Sequence, residues 1–235
     1  MRSGLIDLHY MHLHRDQYKP TMDIETGALN PTIEQEVREW VHSSPDPSRD
    51  WLLLSINGNE HNAFTLVNFP APFDFVDRQA PEMELIRTCR NIPYNAVLKM
   101  MEDRLHCPSD IRIKAFVLAE ALARLHPRKP LWLEPPPPLE DAEYIMANPT
   151  GYESHLKELG VGPRSVALKM WRAQIQASRN LCAARNWDYI PSPQSMHNEA
   201  GFLADFACRE DPTHGNLAYG AAFAEAILAY IEAHS

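Results

Sequence analysis

The chain has 235 residues, 45% of them hydrophobic and 23% charged, which is enough for one folded domain with a sizeable core. Its formal net charge is −9, from 31 acidic and 22 basic residues, and the basic residues form no cluster. We therefore expect neither nucleic acid nor an anionic membrane as the main partner, because both bind through clustered Lys and Arg.

The N-terminal residues show no basic stretch followed by an apolar core and a cleavage site, so no secretory signal is predicted. No apolar run approaches the roughly 20 residues that a membrane-spanning helix needs. A cytoplasmic location is the expectation. No two of the cysteines form a Cys-x-x-Cys pair, and we expect reduced, mostly buried thiols at Cys89, Cys107, Cys182 and Cys208.

The first half of the chain contains three clear signals of regular structure. Leu5–Leu13 reads as a strand of mixed character. Asn30 followed by Pro31 predicts the start of a helix, because asparagine caps a helix and proline fits its first position. Trp51–Ile56 is a short, continuous apolar run of the kind found in strands buried on both faces of a parallel sheet.

Helices and strands alternate through the rest of the chain. The predicted helices are Glu82–Leu105, Ser109–His126, Arg164–Asn186 and Asn216–Ala233, and the predicted strands are Pro130–Glu134 and Trp187–Ile190. This alternation predicts an α/β fold with a mostly parallel sheet covered by helices on both faces. Because the pattern continues across the proline run at 135–138, we expect a single domain over residues 1–235.

Two polar clusters follow predicted strands, where ligands bind in parallel sheets. The first is Gly58-Asn59-Glu60-His61-Asn62. A glycine permits a sharp turn at the strand end, and the Asn59 amide could donate a hydrogen bond to an oxyanion in acyl transfer. An ordinary turn, in which Asn59 bonds to the local backbone, explains the same spacing.

The second cluster is Asp211-Pro212-Thr213-His214-Gly215-Asn216, directly before the last helix. A carboxylate and an imidazole three residues apart on a loop can lie side by side. Asp211 would then hold His214 in one tautomer, and His214 would act as a general base. A loop aspartate that caps the helix beside an ordinary histidine is the alternative.

Together the two clusters resemble the SGNH hydrolases, also called GDSL-like esterases. That family has a Gly-x-Asn or Gly-Asn element after a central strand and Asp-x-x-His before its C-terminal helix; here these read GNEH at Gly58–His61 and DPTH at Asp211–His214. The resemblance extends from about Leu52 to the C-terminus. It implies a three-layer α/β/α sandwich with a flavodoxin-like, mostly parallel sheet.

The resemblance also implies a role for each matched residue. His214 would activate a serine nucleophile, and Asp211 would orient His214. Asn59 would donate to the oxyanion, with Gly27 as a weaker candidate for a second, backbone donor. Gly58, Glu60 and His61 would line the substrate crevice. The implied reaction is Ser-His-Asp acyl transfer on a small acyl ester, with no cofactor and no metal.

The family's serine turn has no counterpart in this sequence. Ser3 lies at the extreme terminus, and Ser55 lies within the predicted buried strand, so neither is a credible nucleophile. Leu5–Leu13 resembles the family's second strand, which leaves its first strand and serine unmatched. We expect that segment to be missing from this chain; the alternative is a catalytically inactive SGNH-like protein.

Two other classes of protein remain open. His12 and His14 would share one face of an N-terminal strand, and His9 and Asp7 lie nearby. Together with the Asp211 cluster, these residues suggest a metal-dependent hydrolase, which is the less favoured interpretation. The aromatic loop Phe69–Phe75 could instead serve a binding protein. The substrate and the oligomeric state are not readable from the sequence.

Overall fold

The structure is a computed structural model, and it describes residues 8–13, 15–23, 25–56, 60–106 and 115–234. Its helices are α1 (Pro31–Ser43), α2 (Glu60–Thr65), α3 (Tyr94–His106), α4 (Ala115–Ala123), α5 (Ala142–Ala147), α6 (Glu153–Leu159), α7 (Arg164–Ala183) and α8 (Leu217–His234). Its strands are β1 (Leu53–Leu54), β2 (Phe73–Asp74), β3 (Arg90–Asn91), β4 (Leu131–Leu133) and β5 (Asp188–Ile190).

A parallel sheet forms the centre of the fold. Its strand order is β1-β4-β5, with Leu53 opposite Leu131 and Leu131 opposite Asp188. The hydrogen bond from the Glu134 N–H to the Ile190 carbonyl continues the pairing at the carboxyl ends of β4 and β5. A second, two-stranded parallel sheet joins β2 to β3.

Helices cover the central sheet on both faces, and the central strand β4 shows how. Trp132 belongs to a core with residues of α1, α3, α4 and α7, and its ring stacks on Phe116 at 4.0 Å. Its neighbours Leu131 and Leu133 belong to a second core with residues of α5, α6 and α8. Because successive strand residues point to opposite faces, this division makes the sheet the middle layer. The predicted α/β fold with a parallel sheet is confirmed.

Local sequence sets several helix boundaries as expected. The Asn30 side chain accepts a hydrogen bond from the Thr32 N–H at 2.9 Å, and α1 starts at Pro31. The Asn216 side chain accepts from the N–H groups of Ala218 and Tyr219 at 2.9 and 3.2 Å, and α8 begins immediately after it. The predicted strands Trp51–Ile56, Pro130–Glu134 and Trp187–Ile190 are also present, although each is shorter than predicted.

Two predicted elements are wrong. Residues 8–13 of the predicted strand Leu5–Leu13 form no strand, and residues 5–7 lie outside the described part of the chain. The predicted helix Glu82–Leu105 begins only at Tyr94, after Pro93. Proline disfavours helical geometry in the residue before it, and contacts from the Asp74 carboxylate and the Lys169 ammonium hold the preceding segment in an irregular conformation.

Three charged or polar residues of α7 hold the segment around β2 against the domain. The Lys169 ammonium lies 3.0 Å from Asp74 Oδ1 with both side chains buried, and Arg172 Nη1 lies 3.3 Å from Asp77 Oδ2. One turn further along α7, Gln176 accepts a hydrogen bond from Gln79 at 3.2 Å. This spacing along one helix fixes the segment at three successive points.

The end of α2 approaches the start of α7 closely at Gly162. A Cβ atom at this position would lie 2.3 Å from the Thr65 carbonyl oxygen, so only glycine fits there. The Gly162 N–H donates to the Leu66 carbonyl at 3.0 Å, and Val67 pairs with Val161 in an antiparallel bridge.

Within the described residues, no helix combines the length and the apolar character needed to cross a membrane.

Candidate functional site

The structure brings Asp211 and His214 together. His214 Nδ1 lies 3.0 Å from Asp211 Oδ1 and 3.1 Å from Oδ2. A carboxylate at this nitrogen favours the tautomer with the proton on Nδ1, which leaves the Nε2 lone pair available as a base. The His214 side chain is 60% exposed, whereas that of Asp211 is 14% exposed. The pair therefore presents an oriented imidazole to solvent from a mostly covered carboxylate.

Asp211 also organises the turn that carries His214. Its Oδ1 accepts hydrogen bonds from the N–H groups of Thr213 and His214, at 2.8 and 2.9 Å. Burial raises the pKa of Asp211, but these backbone bonds and the attraction to His214 outweigh it, so the pKa lies below its usual value. The carboxylate is therefore ionised at neutral pH, as the orientation of an imidazole requires.

The turn is attached to the protein on both sides. The His214 carbonyl accepts from the Arg209 N–H at 3.1 Å, and the Asn216 N–H donates to the Ala207 carbonyl at 2.8 Å. From α5, the Tyr144 hydroxyl donates to the Arg209 carbonyl at 2.9 Å. These bonds hold the His214 turn beside the segment that follows β5.

Of the two predicted oxyanion donors, Asn59 and Gly27, the structure describes Gly27; Gly58 was predicted to line the substrate crevice. Gly58 and Asn59 lie outside the described residues, so their roles stay predictions. Gly27 has a φ of +71° in the turn before α1, and its N–H donates to the Asp23 carbonyl at 2.9 Å. Because that hydrogen bond occupies the donor, the structure argues against Gly27 as an oxyanion ligand.

His61, predicted to line the substrate crevice, is a covered side chain in the structure, so its predicted role gains no support from its exposure. It is 0% exposed on α2, where both its backbone N–H and its Nδ1 lie 2.9 Å from Oε1 of Gln174 on α7. Burial lowers its pKa to about 4, so the ring is neutral at physiological pH. The neighbouring Glu60, also predicted to line the crevice, pairs with Arg104 through its carboxylate.

Serines near the carboxyl ends of the strands differ from the prediction. Ser55 follows β1 and is exposed, whereas the sequence placed it inside a buried strand. Ser192, which the sequence reasoning missed, follows β5 and is 1% exposed, with its Oγ 2.9 Å from His197 Nε2. Its place directly after a predicted strand was the available signal. Within the described residues, no hydrogen bond joins His214 to a serine.

A buried polar network surrounds Ser192. Its hydroxyl also lies 3.1 Å from the hydroxyl of Tyr219, near the start of α8. Glu134, at the end of β4, is 4% exposed, and burial raises its pKa against the opposing effects of Tyr189, Arg179 and the Ser192 N–H. The carboxyl ends of β4 and β5 therefore meet α8 through side chains that are polar yet covered.

The N-terminal histidines do not assemble into a metal site in the described part of the chain. His9 stacks on Trp40 with ring centroids 5.3 Å apart, and His12 stacks on Tyr10 at 6.3 Å. His14 and Asp7 lie outside the described residues. Across those residues, no group of three His, Cys, Asp or Glu side chains is placed to bind a metal.

The described cysteines are free thiols, and the aromatic loop packs mostly against the rest of the fold. Cys182 is buried, Cys89 and Cys208 are partly buried, and all three are free thiols; Cys107 lies outside the described residues. In the loop Phe69–Phe75, Phe75 is 0% exposed and packs near Tyr94, whereas Phe69 is 42% exposed. Most of this loop therefore belongs to the fold.

Comparison with known proteins gives distant structural similarity without similarity in sequence families. No family model matches the sequence, and no curated protein matches it. A solved chain from Streptococcus pneumonia, described as a candidate platelet activating factor, is similar with a TM-score of 0.41 and 15% sequence identity. The similarity covers 85% of this chain and 91% of that chain. At this level of similarity, a functional conclusion depends on the geometry of the site.

Proposed function

We propose that this chain supplies the general base, His214, and its orienting carboxylate, Asp211, to an SGNH-type serine ester hydrolase site that cleaves a small acyl ester. The observation that supports the proposal is the contact of 3.0 Å between His214 Nδ1 and Asp211 Oδ1 on an exposed turn before α8. The Asp-x-x-His spacing and the Gly58-Asn59 element add the resemblance to that family.

The proposed reaction has two acyl-transfer steps. His214 Nε2 takes the proton of a serine hydroxyl while the serine oxygen attacks the ester carbonyl, and the protonated His214 then passes that proton to the leaving alcohol. In the second step His214 takes a proton from water as the water oxygen attacks the acyl carbon; the bond to the serine oxygen breaks, His214 returns the proton to that oxygen, and the acid leaves. The charge of Asp211 stabilises the imidazolium in both steps, and Asn59 would donate to the oxyanion.

The nucleophile is the part of the proposal that no described contact supports. Ser192 is covered, and Ser55 has no hydrogen bond to His214. That observation favours a second candidate function, an SGNH-like protein that retains the fold and the Asp211–His214 pair but binds its ligand without cleaving it.

Covalent labelling and turnover separate the two functions. The purified chain is incubated with 4-nitrophenyl acetate and, separately, with a serine-directed phosphonate whose site of attachment is found by peptide mass spectrometry. An esterase releases nitrophenol and carries the label on one serine, and His214→Ala loses nearly all of both reactions because the base is removed.

The matched control is His155→Ala, which replaces an exposed histidine on α6. It should keep turnover and labelling at the level of the unchanged chain. If neither nitrophenol nor label appears in the unchanged chain, no serine of these 235 residues acts with His214, and for this chain the binding function takes the place of the hydrolase. Full activity in His214→Ala would refute the assignment of the base.

A further inference from the structure

Local hydrogen bonds shape the His214 turn but do not by themselves fix its place over the sheet. The turn residues bond mainly to one another and to the segment 206–209, whose first two residues end a three-residue 3-10 helix. A general base must stand at a defined place, because a displacement of about 1 Å can cost on the order of 10² in rate. The bond from Tyr144 on α5 holds the Arg209 carbonyl beside the turn, and a further contact to the central sheet would define the place of His214 over the strands.

That contact begins at Gly215, directly after His214. A Cβ atom at Gly215 would lie 2.6 Å from Cγ and 2.7 Å from Cδ1 of Tyr219, so the ring of Tyr219 packs directly against the Gly215 backbone. Tyr219 is 7% exposed, and its ring meets Phe223 edge-on at 5.8 Å. The ring is thus enclosed between the His214 turn and the interior of the protein.

The hydroxyl of Tyr219 continues the contact to the sheet. It lies 3.1 Å from Ser192 Oγ, which lies 2.9 Å from His197 Nε2. Ser192 is 1% exposed and comes two residues after Ile190, the last residue of β5. Because a buried hydroxyl that loses its partner is costly, both hydroxyls favour the one arrangement that keeps them paired.

We propose that Tyr219 and Ser192 are positioning residues for His214: the bond between their hydroxyls fixes the start of α8, and with it the His214 turn, to the carboxyl end of β5. The positioning follows from the contacts, and its consequence for catalysis rests on the proposed function. Ser192 acts here as a buried anchor and does not meet the substrate.

Nuclear magnetic resonance tests the positioning without an assay of activity. In the full chain, the Cε1–Hε1 signal of His214 is assigned by its loss in His214→Gln. Tyr219→Phe and Ser192→Ala each remove one hydroxyl and little volume. Both should shift and broaden the His214 signal, because the turn then samples more than one place.

Two control variants match these changes. Ser178→Ala removes another buried serine hydroxyl. Ser178 lies on α7, and its hydroxyl has no hydrogen-bond partner. Tyr230→Phe removes a tyrosine hydroxyl that bonds to Asp188, at the amino end of β5 and the far end of α8 from the His214 turn. Neither should move the His214 signal. Thermal melting of each variant checks that it is folded, and the signal of His197 reports that the bond to Ser192 has changed.

The outcome for His214 decides the proposal. It is overturned if Tyr219→Phe and Ser192→Ala are folded and change the His197 signal, yet leave the His214 signal as the controls leave it. If the chain hydrolyses 4-nitrophenyl acetate, positioning further predicts a kcat lowered roughly 10-fold with little change in KM. A shifted His214 signal in a chain without turnover supports the positioning while the proposed function fails.

Discussion

Asp211 combines a structural and a chemical role in a single carboxylate. One of its oxygens accepts two backbone N–H groups of the turn, and both oxygens lie within 3.1 Å of His214 Nδ1. Removing its charge therefore affects both the stability of the turn and the tautomer of the imidazole. A difference in stability alone would report only the first of these roles.

Asp211→Asn should lower the free energy of unfolding by roughly 1.5–3 kcal/mol at pH 7, the usual range for hydrogen bonds to a charged group. The pKa of Asp211 is lowered in the folded protein, so its contribution is fully present above the unfolded value and is lost as pH falls through the folded value. The two proteins should therefore converge in stability well below pH 4. Urea unfolding at pH 7 and pH 3 measures the difference.

Glu210→Gln is the control for this experiment, because Glu210 is an exposed carboxylate beside Asp211. The substitution should change the free energy of unfolding little at either pH. A stability difference between Asp211→Asn and the unchanged chain that persists undiminished at pH 3 would contradict the assigned role of the ionised carboxylate.

The residues of the site differ in how far sequence predicted them. Asp211 and His214 are three positions apart, so a single turn brings them together and their spacing was sufficient. His61 also follows a strand, yet its environment depends on Gln174, which is 113 positions away in sequence. No local pattern shows that such a partner covers the ring, so the burial of His61 could not be predicted from its place after a strand.

Among the helices, α7 depends most visibly on a buried charge. Lys169 is 0% exposed, and its ammonium contacts Asp74 Oδ1, Asp74 Oδ2 and the Glu84 carbonyl at 3.0, 3.2 and 3.1 Å. The Asp74 carboxylate in turn accepts the N–H groups of Phe75 and Ile86. These contacts give every charged atom a partner and fold the segment after β2 onto the helix.

Lys169→Met should destabilise the protein by about 3–5 kcal/mol, because it leaves the Asp74 carboxylate buried without a compensating charge. The double variant Asp74→Asn with Lys169→Met should recover part of that loss, since the uncompensated charge is then gone. Chemical denaturation of the two variants at pH 7 gives the comparison.

Lys157→Met, an exposed lysine on α6, provides the reference for replacing a lysine by methionine. Its stability should lie close to that of the unchanged chain. If Lys169→Met were no more destabilising than Lys157→Met, the buried ion pair would not hold the segment as described.

The same ion pair explains why one element was mispredicted. Helical periodicity from Glu82 onward favoured one long helix, but Ile86 donates to Asp74 and the Glu84 carbonyl accepts from Lys169. These tertiary bonds compete with the helical hydrogen bonds of the same residues. The helices that were predicted well include α7, whose tertiary bonds come from side chains such as Lys169 and Arg172 and leave the helical backbone bonds intact.

The stability of the whole molecule should depend on His61 between neutral and acidic pH. Its pKa is lowered from 6.5 to about 4 in the folded protein, first of all by burial. Below pH 6.5 the unfolded chain binds a proton that the folded chain refuses, so stability falls as pH falls and the loss is complete near pH 4. At about 1.4 kcal/mol for each tenfold change in proton affinity, the loss is roughly 3 kcal/mol.

His61→Gln should be less stable at pH 7 but should lose less stability between pH 7 and pH 4.5. Urea denaturation at several pH values gives both slopes, and His155→Gln serves as the exposed control. Equal slopes for His61→Gln and the unchanged chain would show that His61 is not the group responsible. His197, whose pKa is also lowered by burial, remains in both proteins and so does not affect the comparison.

The central position of β4 has a consequence for the order of folding. Leu131 takes its two strand partners from distant parts of the chain, Leu53 on one side and Asp188 on the other. Pairings between residues so far apart in sequence form slowly, because closing the long loop between them costs entropy before the strand hydrogen bonds can form. During synthesis β4 therefore emerges well before β5, and it keeps one open edge until the ribosome has released most of the protein.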